Sequence, residues 1–155
     1  VERIALLRSG GIPFVEAGLL DLVRAESAAG RLRFVTDNAA AVADADVVFL
    51  CVPTPSAPDG HTDLRFIVAA GTSIAAALKP GAVVVNKSTV PVGSTKVVDD
   101  VLRRDDVGVV SNPEFLREGT ALHDFLHPDR VVIAPTTVRQ RPLLPRSTQH
   151  STRPC

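Results

Sequence analysis

The chain has 155 residues, 45% of them hydrophobic, a length and composition that suit one globular domain. Its seventeen basic and seventeen acidic residues cancel, so no overall field would draw it to nucleic acid or to an anionic membrane, and neither is expected as a partner. Its longest helix-compatible apolar stretch, Phe66 to Leu78, is shorter than the roughly 20 residues of a membrane span, and two cysteines make no disulfide framework, which together favour a cytoplasmic protein.

The first part of the chain predicts two helices and a short strand. Val1 to Leu7 has the pattern of a helix interior, and a leucine-rich helix ends near Gly30. The run from Leu32 to Thr36 predicts a strand, after which Asp37 or Asn38 can cap the next turn. Because this opening does not resemble a first strand, the chain is expected to begin within a fold.

Four later runs are too continuous in apolar residues to be half-exposed, which is typical of strands buried on both faces. Helical three- and four-residue periods lie between them, at Ile67 to Leu78 and at Val97 to Leu102. Strands and helices that alternate at this spacing predict an α/β fold with a doubly wound parallel sheet and right-handed crossovers. The four runs are Val47 to Val52, Ala82 to Val85, Val107 to Val110 and Val131 to Ile133.

The last residues, 135–155, break this pattern. They are rich in Arg, Pro, Ser and Thr and show no apolar period. This composition predicts a disordered tail, or one translated in an altered reading frame from near Ala134 to Arg139. The folded domain is therefore expected to span residues 1–134.

In open parallel α/β sheets, ligands bind beyond the carboxyl ends of the strands, so the loops after the apolar runs are candidate sites. The first loop, Val52 to Pro55, holds Thr54 between two prolines, which fix φ and present its hydroxyl rigidly. The second, Lys87 to Ser94, offers hydroxyls and free helix N–H groups to a phosphate or a nicotinamide amide. The alternative for the first loop is an ordinary proline-rich turn. For the second loop, the alternative is that Ser88 and Thr89 end a strand and Ser94 caps the next helix.

The third loop, Ser111 to Gly119, sets Glu114 and Glu118 four residues apart beside Arg117. If the segment is helical, both acids lie on one face. Near a substrate they could orient a sugar hydroxyl or move protons, with a pKa tuned by partial burial and by Arg117. A solvated charged turn is the alternative.

Two further features are interpreted as structural. His123 and His127 are also four residues apart, but no carboxylate or cysteine cluster completes a metal site, so a surface pair is expected and no metal is assigned. Cys51 lies within an apolar strand and is expected to be a small buried hydrophobe rather than a nucleophile.

Taken together and in order, the three loops resemble the signature segments of the UDP-glucose/GDP-mannose dehydrogenase family. The segments that carry the resemblance are VPTP at 52–55, KSTVPVG at 87–93 and NPEFLREG at 112–119. Pro13 to Leu19 is similar to a Pro-x-x-Glu-x-Gly-Leu motif of the family. With Asp124-Phe125 and Pro128 to Ile133, it extends the resemblance over residues 1 to about 134.

The resemblance implies a Rossmann-type domain of an enzyme that oxidises the C6 alcohol of a nucleotide sugar to a carboxylate with two molecules of NAD⁺, by way of a cysteine-bound thioester. It also implies that Thr89, Glu114 and Glu118 are catalytic. Thr89 would lie near the reacting centre, Glu114 would act as acid and base at the thioester, and Glu118 would lie beside the nicotinamide. The NAD site would include Arg3, Thr54, Thr89 and Glu118. The substrate sugar would contact Glu114, Phe115, Leu116, Arg117 and Glu118.

Lys87 before Ser88-Thr89, and Pro53 in the first loop, are more similar to the UDP-glucose branch than to the GDP-mannose branch, so UDP-glucose is the expected substrate. GDP-mannose, UDP-N-acetylmannosamine and a non-catalytic remnant are the alternatives. By the same resemblance, an opening strand, a Gly-x-Gly-x-x-Gly turn and a ribose-binding acid would precede Val1, which leaves an incomplete Rossmann-like sheet. The complete enzyme is expected to be a homo-oligomer.

Overall fold

The computed structural model describes residues 2–56, 60–90 and 95–135. Helices and strands alternate along this part of the chain, as the apolar periods predicted, and both helices expected near its start are present. In chain order the elements are α1 (Glu2–Arg8), α2 (Leu19–Ala28), α3 (Asn38–Val42), β1 (Val47–Leu50), α4 (Arg65–Ile74), β2 (Val83–Asn86), α5 (Thr95–Leu102), β3 (Gly108–Ser111), α6 (Ala121–Leu126) and β4 (Ala134–Pro135).

The strands form one sheet in the order β1, β2, β3, β4. β1, β2 and β3 are parallel, and their register aligns Val48 with Val84 and Val84 with Val109. They coincide with three of the predicted runs, because β-branched residues favour extended backbone and pack well on a pleated surface. α4 and α5 supply the crossovers that parallel neighbours need. The predicted Rossmann-like α/β fold is therefore confirmed.

The hydrophobic core lies between the sheet and the two crossover helices. Ile67 of α4 and Val98 of α5 are each 1% exposed, and Val84 of β2 is fully buried. All three belong to one cluster of packed apolar residues. Gly71 lets the two helices approach closely, since a Cβ at this position would lie 3.1 Å from Cγ1 of Val101. This packing holds the carboxyl ends of the parallel strands in fixed positions relative to one another.

The face of β1 that points away from α4 and α5 is exposed to solvent. Val47 and Phe49 are 49% and 56% exposed, whereas every residue of β2 is buried or half-buried. The prediction of strands buried on both faces is therefore wrong for β1, which is the outermost strand of the sheet among the described residues. Within those residues, no strand pairs with its outer N–H and C=O groups.

We expect this open strand to make the isolated chain self-associate, because an apolar edge is a template for pairing with another chain. Val47→Lys places a charge on the edge and should raise the fraction of monomer measured by sedimentation velocity. Val68→Lys, at an exposed position of α4, is the control and should leave association unchanged. A wild-type chain that sediments as a monomer and melts cooperatively would contradict this expectation.

Two of the predicted strands are wrong. Leu32 to Thr36 is irregular, and its Phe34 carbonyl accepts a hydrogen bond from the Arg8 guanidinium rather than from a neighbouring strand. Val131 to Ile133 is exposed and irregular, and one of its carbonyls accepts from the side chain of Asn112. The chain joins the sheet only afterwards, in β4, which is antiparallel to β3. An apolar run favours a strand, but a strand also needs a partner with free backbone groups.

The boundaries of two helices follow from single residues. Asp37 is the N-cap of α3, as predicted, and its Oδ1 accepts the N–H of Ala40 at 3.1 Å. This bond satisfies one of the helix's free donors. α2 ends shortly before Gly30, whose φ of 73° lies in the left-handed region that glycine adopts at little cost.

Within the described ranges, every helix is too short or too polar to cross a membrane. Three predictions concern residues that lie outside those ranges. They are the helical position of Val1, the helix cap at Ser94 and the disorder of the tail at 136–155.

Candidate functional site

A cavity of about 670 Å³ opens at the carboxyl ends of β1, β2 and β3. We call it the sheet-edge cavity. It lies at the edge where ligands bind in open parallel sheets. Its lining consists of Phe49, Cys51, Lys87 and Asn112 from the strands and the loops that follow them, the segment from Pro113 to Arg117, and residues between Asp124 and Val131.

Thr54 and Thr89 meet at this edge of the sheet. The hydroxyl of Thr54 donates a hydrogen bond to the backbone carbonyl of Thr89 at 3.0 Å, across 35 positions of sequence. Thr54 is half-buried, and Thr89 is exposed. Adjacent parallel strands bring the loops at their carboxyl ends together, as predicted. The hydroxyl oxygen of Thr54 keeps lone pairs for a donor from a ligand.

Ser88, beside Thr89, has a structural role. Its Oγ donates to the carbonyl of Val52 at 2.7 Å and accepts from the N–H of Val52 at 3.1 Å. The side chain is buried, so these bonds join the ends of β1 and β2 away from solvent. Ser88 therefore ends the strand, as in the structural alternative for this loop. The exposed Thr89 carries the hydroxyl that a ligand can reach.

Lys87 connects the ends of β2 and β3. Its Nζ lies 3.3 Å from Oδ1 and 3.4 Å from the backbone oxygen of Asn112. The amide of Asn112 in turn donates to the carbonyl of Val132 at 2.8 Å. Lys87 therefore brings a positive charge to the cavity, close to the start of the segment that carries Glu114 and Glu118.

Cys51 is exposed and lines the cavity. The prediction of a buried residue is wrong, because Cys51 follows β1 directly and lies at the end of the strand's open edge. The pKa of the Cys51 thiol is raised, mainly because the sulfur is partly buried and also because the Glu114 carboxylate is near. The positive charge of Lys87 lowers this pKa by a smaller amount. A thiol with a raised pKa stays protonated near neutral pH and is a poor nucleophile.

Residues 114–118, which we call the acidic strip, are irregular and lead into a turn at 118–120. The prediction that Glu114 and Glu118 share one face of a helix is therefore wrong. Pro113 lacks a backbone donor and keeps the preceding residue extended, so the chain leaves β3 without coiling. Oε2 of Glu114 is buried and accepts no hydrogen bond within the described residues, whereas Glu118 is exposed. The two acids thus have different surroundings.

Phe115 and Leu116 offer an apolar surface in the middle of the strip. They are 57% and 41% exposed and both line the cavity. The guanidinium of Arg130 lies over the Phe115 ring, with Cζ 5.6 Å from the ring centre, a cation–π contact that orients the ring. The strip therefore combines acidic groups with a surface that a sugar or a base can pack against.

Arg117 binds Asp124. Its Nη2 lies 2.7 Å from Oδ1 and its Nε 3.0 Å from Oδ2, and its backbone N–H also donates to Oδ2 at 3.2 Å. The planar guanidinium is thus bound by Asp124 through two parallel bonds rather than by the acids of its own loop. Arg117 still lines the cavity.

Hydrogen bonding from Arg117 holds the pKa of the Asp124 carboxyl well below its usual range. An acid with a depressed pKa stabilises the fold fully above its unfolded value of about 3.9, and that contribution is lost as pH falls further. Asp124→Asn should therefore melt below wild type near neutral pH, and the difference should shrink below about pH 4. Circular dichroism gives both melting temperatures.

The control for this pH dependence is Asp100→Asn. Asp100 pairs with Lys96 on the exposed surface of α5, where an ion pair contributes little. It should melt close to wild type throughout. A deficit of Asp124→Asn that stays constant from neutral to acid pH would show that the carboxylate charge is not what stabilises the turn.

Arg3 and the two histidines lie outside these contacts. Arg3 is exposed on α1, and no hydrogen bond or ion pair within the described residues joins it to Thr54 or Thr89. His123 and His127 form the surface pair that was predicted, with ring centres 4.9 Å apart. In the described part of the chain, no group of three or more His, Cys, Asp or Glu residues is placed to hold a metal ion.

Comparison with known proteins identifies the family of this chain. The model of the UDP-glucose/GDP-mannose dehydrogenase family, NAD binding domain, matches residues 1–146. The chain belongs to this family. Its match is to the NAD binding domain, so NAD is the cofactor of this family domain.

Two relatives and two solved structures illustrate the similarity. UDP-glucose 6-dehydrogenase of Rhizobium meliloti (strain 1021) is 52% identical over 136 residues, which are 84% of this chain and 31% of the relative. UDP-glucose 6-dehydrogenase of Pseudomonas aeruginosa is 45% identical over 140 residues, 85% of this chain and 31% of the relative. A UDP-glucose dehydrogenase structure from Pyrobaculum islandicum has a TM-score of 0.79 at 38% identity. The aligned region covers 88% of this chain and 33% of that structure's chain. A GDP-mannose dehydrogenase structure from Pseudomonas aeruginosa has a TM-score of 0.79 at 37% identity. The aligned region covers 86% of this chain and 33% of that structure's chain.

The chain thus spans about a third of the length of these relatives. Two acids that bind the backbone around the turn at 118–120 were not among the predicted site residues. Asp124 binds Arg117, and Glu16 accepts hydrogen bonds from the N–H groups of Gly119 and Leu122. Both acids occur in segments that resemble the family, but no sequence pattern states which distant backbone groups they reach.

Proposed function

We propose that this chain is the nicotinamide-side part of a UDP-glucose 6-dehydrogenase, which oxidises the C6 alcohol of UDP-glucose to a carboxylate with NAD⁺. One observation carries the proposal. The pair of threonines and the segment that begins at Glu114 follow the carboxyl ends of three neighbouring parallel strands, which lie at one edge of the sheet. An alcohol and a nicotinamide must be held together at one place for a hydride to pass between them.

The two threonines fit a nicotinamide nucleotide. NAD⁺, when bound, supplies the hydride acceptor. The hydroxyl of Thr54 donates its hydrogen bond to the Thr89 carbonyl, so its oxygen is available to accept a hydrogen bond from an N–H or O–H group of the cofactor. The exposed hydroxyl of Thr89 suits a hydrogen bond near the reacting carbon. We assign Arg3 to the adenosine ribose and Glu118 to the nicotinamide end of the same site.

Glu114 is the acid that we assign to proton transfer. A buried carboxylate oxygen without a hydrogen-bond partner is costly. That cost is offset when a hydroxyl or a water of the reaction binds there, so the oxygen suits an acid/base role. We assign substrate contact to the whole strip, in which Phe115 and Leu116 supply packing and Arg117 and Glu118 supply polar groups.

UDP-glucose is favoured over the other nucleotide sugars because relatives at 52% and 45% identity are UDP-glucose 6-dehydrogenases. Lys87 and Pro53 support the same branch through the resemblance described above. GDP-mannose is the second candidate, since a GDP-mannose dehydrogenase superposes on the chain with a TM-score of 0.79. We further propose a cytoplasmic location, which suits the exposed thiol of Cys51, and a homo-oligomeric complete enzyme.

Two chimeras test the proposal. In one, this chain replaces the aligned 136 residues of the Rhizobium meliloti UDP-glucose 6-dehydrogenase. In the other, it replaces the aligned part of the Pseudomonas aeruginosa GDP-mannose dehydrogenase. NADH absorbance is then followed with NAD⁺ and the nucleotide sugar of each parent, with circular dichroism to confirm that each chimera folds.

We expect NADH formation in the UDP-glucose chimera and a loss of about tenfold or more in the GDP-mannose chimera relative to its parent. Activity in the GDP-mannose chimera alone would reverse the substrate assignment. Two folded chimeras that form no NADH would identify the chain as a non-catalytic remnant.

A further inference from the structure

The segment from Pro13 to Leu19 has no part in the chemistry proposed above, yet it contacts the turn that follows the acidic strip. Glu16 is half-buried, and its carboxylate accepts the N–H of Gly119 at 3.0 Å and the N–H of Leu122 at 3.3 Å. The first of these bonds spans 103 positions of sequence. Gly119 directly follows Glu118, so Glu16 binds the backbone beside an acid that we place at the nicotinamide.

A glycine in the same segment makes this contact possible. Gly18 has a φ of 77°, and a Cβ at this position would lie 3.3 Å from Cδ2 of Leu122. A larger residue would be strained at this φ and would press on Leu122. The segment therefore lies close against the turn that follows the strip, within reach of the Glu16 carboxylate.

A second carboxylate binds the other side of Glu118. Oδ2 of Asp124 accepts the backbone N–H of Arg117 and the hydroxyl of Thr120, each at 3.2 Å. The backbone N–H groups of Arg117 and Gly119, the residues on either side of Glu118, are thus each bound by a carboxylate. Hydrogen bonds from N–H groups to carboxylates are charge-assisted and strong. The side chain of Glu118 itself is exposed and makes no hydrogen bond within the described residues.

We infer that Glu16 is a positioning residue for Glu118. With no contact of its own, the Glu118 side chain takes its position from the backbone, and Glu16 and Asp124 hold that backbone from two sides. Such preorganisation lowers the entropy lost when a reactive complex forms. The inference rests on the proposed function for the role of Glu118, but the contact between Glu16 and the turn is testable without turnover.

Amide hydrogen exchange measured by NMR on the full chain tests the contact. In Glu16→Gln the side chain keeps one acceptor but turns N–H donors toward the second backbone N–H, so one hydrogen bond is lost. We expect exchange at Gly119 or Leu122 to accelerate about tenfold or more, and the carboxyl carbon resonance of Glu118 to shift. Exchange in the core, at Val84 and Val98, should stay unchanged.

Two further variants make the test specific. Glu16→Asp keeps the charge but is one methylene too short to reach both N–H groups, so it should repeat the local effect even if Glu16→Gln does not fold. Glu26→Gln, which breaks the exposed pair with Arg31 on the surface of α2, should leave the amides of the turn unchanged.

Unchanged exchange at Gly119 and Leu122 in Glu16→Gln and Glu16→Asp would overturn the inference. Equal acceleration at Val84 and Val98 would also overturn it, because Glu16 would then merely stabilise the whole fold. Failure of the UDP-glucose chimera to form NADH would refute the proposed function and leave the exchange result standing.

Discussion

Replacing Ile67 with alanine is expected to lower the free energy of unfolding by about 2–5 kcal/mol. Ile67 is 1% exposed and packs in the cluster between α4 and the sheet. The substitution removes buried methyl groups and leaves a cavity that the close-packed neighbours fill only in part. Because domains of this size are stable by only about 5–15 kcal/mol, urea unfolding followed by circular dichroism should show a clearly lower midpoint.

Two substitutions on α4 serve as controls for Ile67. Ile67→Val removes a single methylene and should cost about 0.5–1.5 kcal/mol. Val68→Ala lies at an exposed position of the same helix and should leave the midpoint close to that of wild type. An Ile67→Ala chain as stable as wild type would mean that α4 does not pack on the sheet in solution.

Glu114→Gln in the UDP-glucose chimera is expected to lower kcat by about 10²- to 10⁴-fold, the contribution of a general acid or base. Glutamine keeps the shape of the side chain and loses the group that takes up and returns a proton. KM for NAD⁺ should change little, because the cofactor contacts that we assign to Thr54 and Thr89 are untouched. NADH formation at saturating substrate gives kcat directly.

The matched control for Glu114 is Asp100→Asn, which removes a carboxylate from an exposed ion pair on α5. That chimera should turn over at the rate of its parent. Full turnover by Glu114→Gln would remove Glu114 from proton transfer. It would leave the cofactor and substrate assignments open to the chimera experiment described above.

Several features of this site were predictable because they depend on local pattern and one rule of topology. Valine-rich runs predicted β1, β2 and β3, and the helical periods between them predicted α4 and α5. Parallel strands with helical crossovers have their carboxyl ends at one edge. That rule places the loops of Thr54 and Thr89 together, and the structure joins the two residues by a hydrogen bond.

The predictions that failed depend on neighbours distant in sequence. Leu32 to Thr36 has the composition of a strand, but within the described residues no strand pairs with it. Cys51 has apolar neighbours along the chain and is nevertheless exposed, because burial depends on what covers that part of the sheet.

The sequence by itself determined the class of the fold, the family and the loops that carry Thr54, Thr89, Glu114 and Glu118. These follow from periodicity and from ordered motifs, which are properties of the linear chain. Only the tertiary structure decided how the acidic strip is held, with Glu16 on one side of Glu118 and Asp124 on the other. Hydrogen bonds act over about 3 Å, and which groups come within that distance across a hundred residues is decided by the packing of the whole domain.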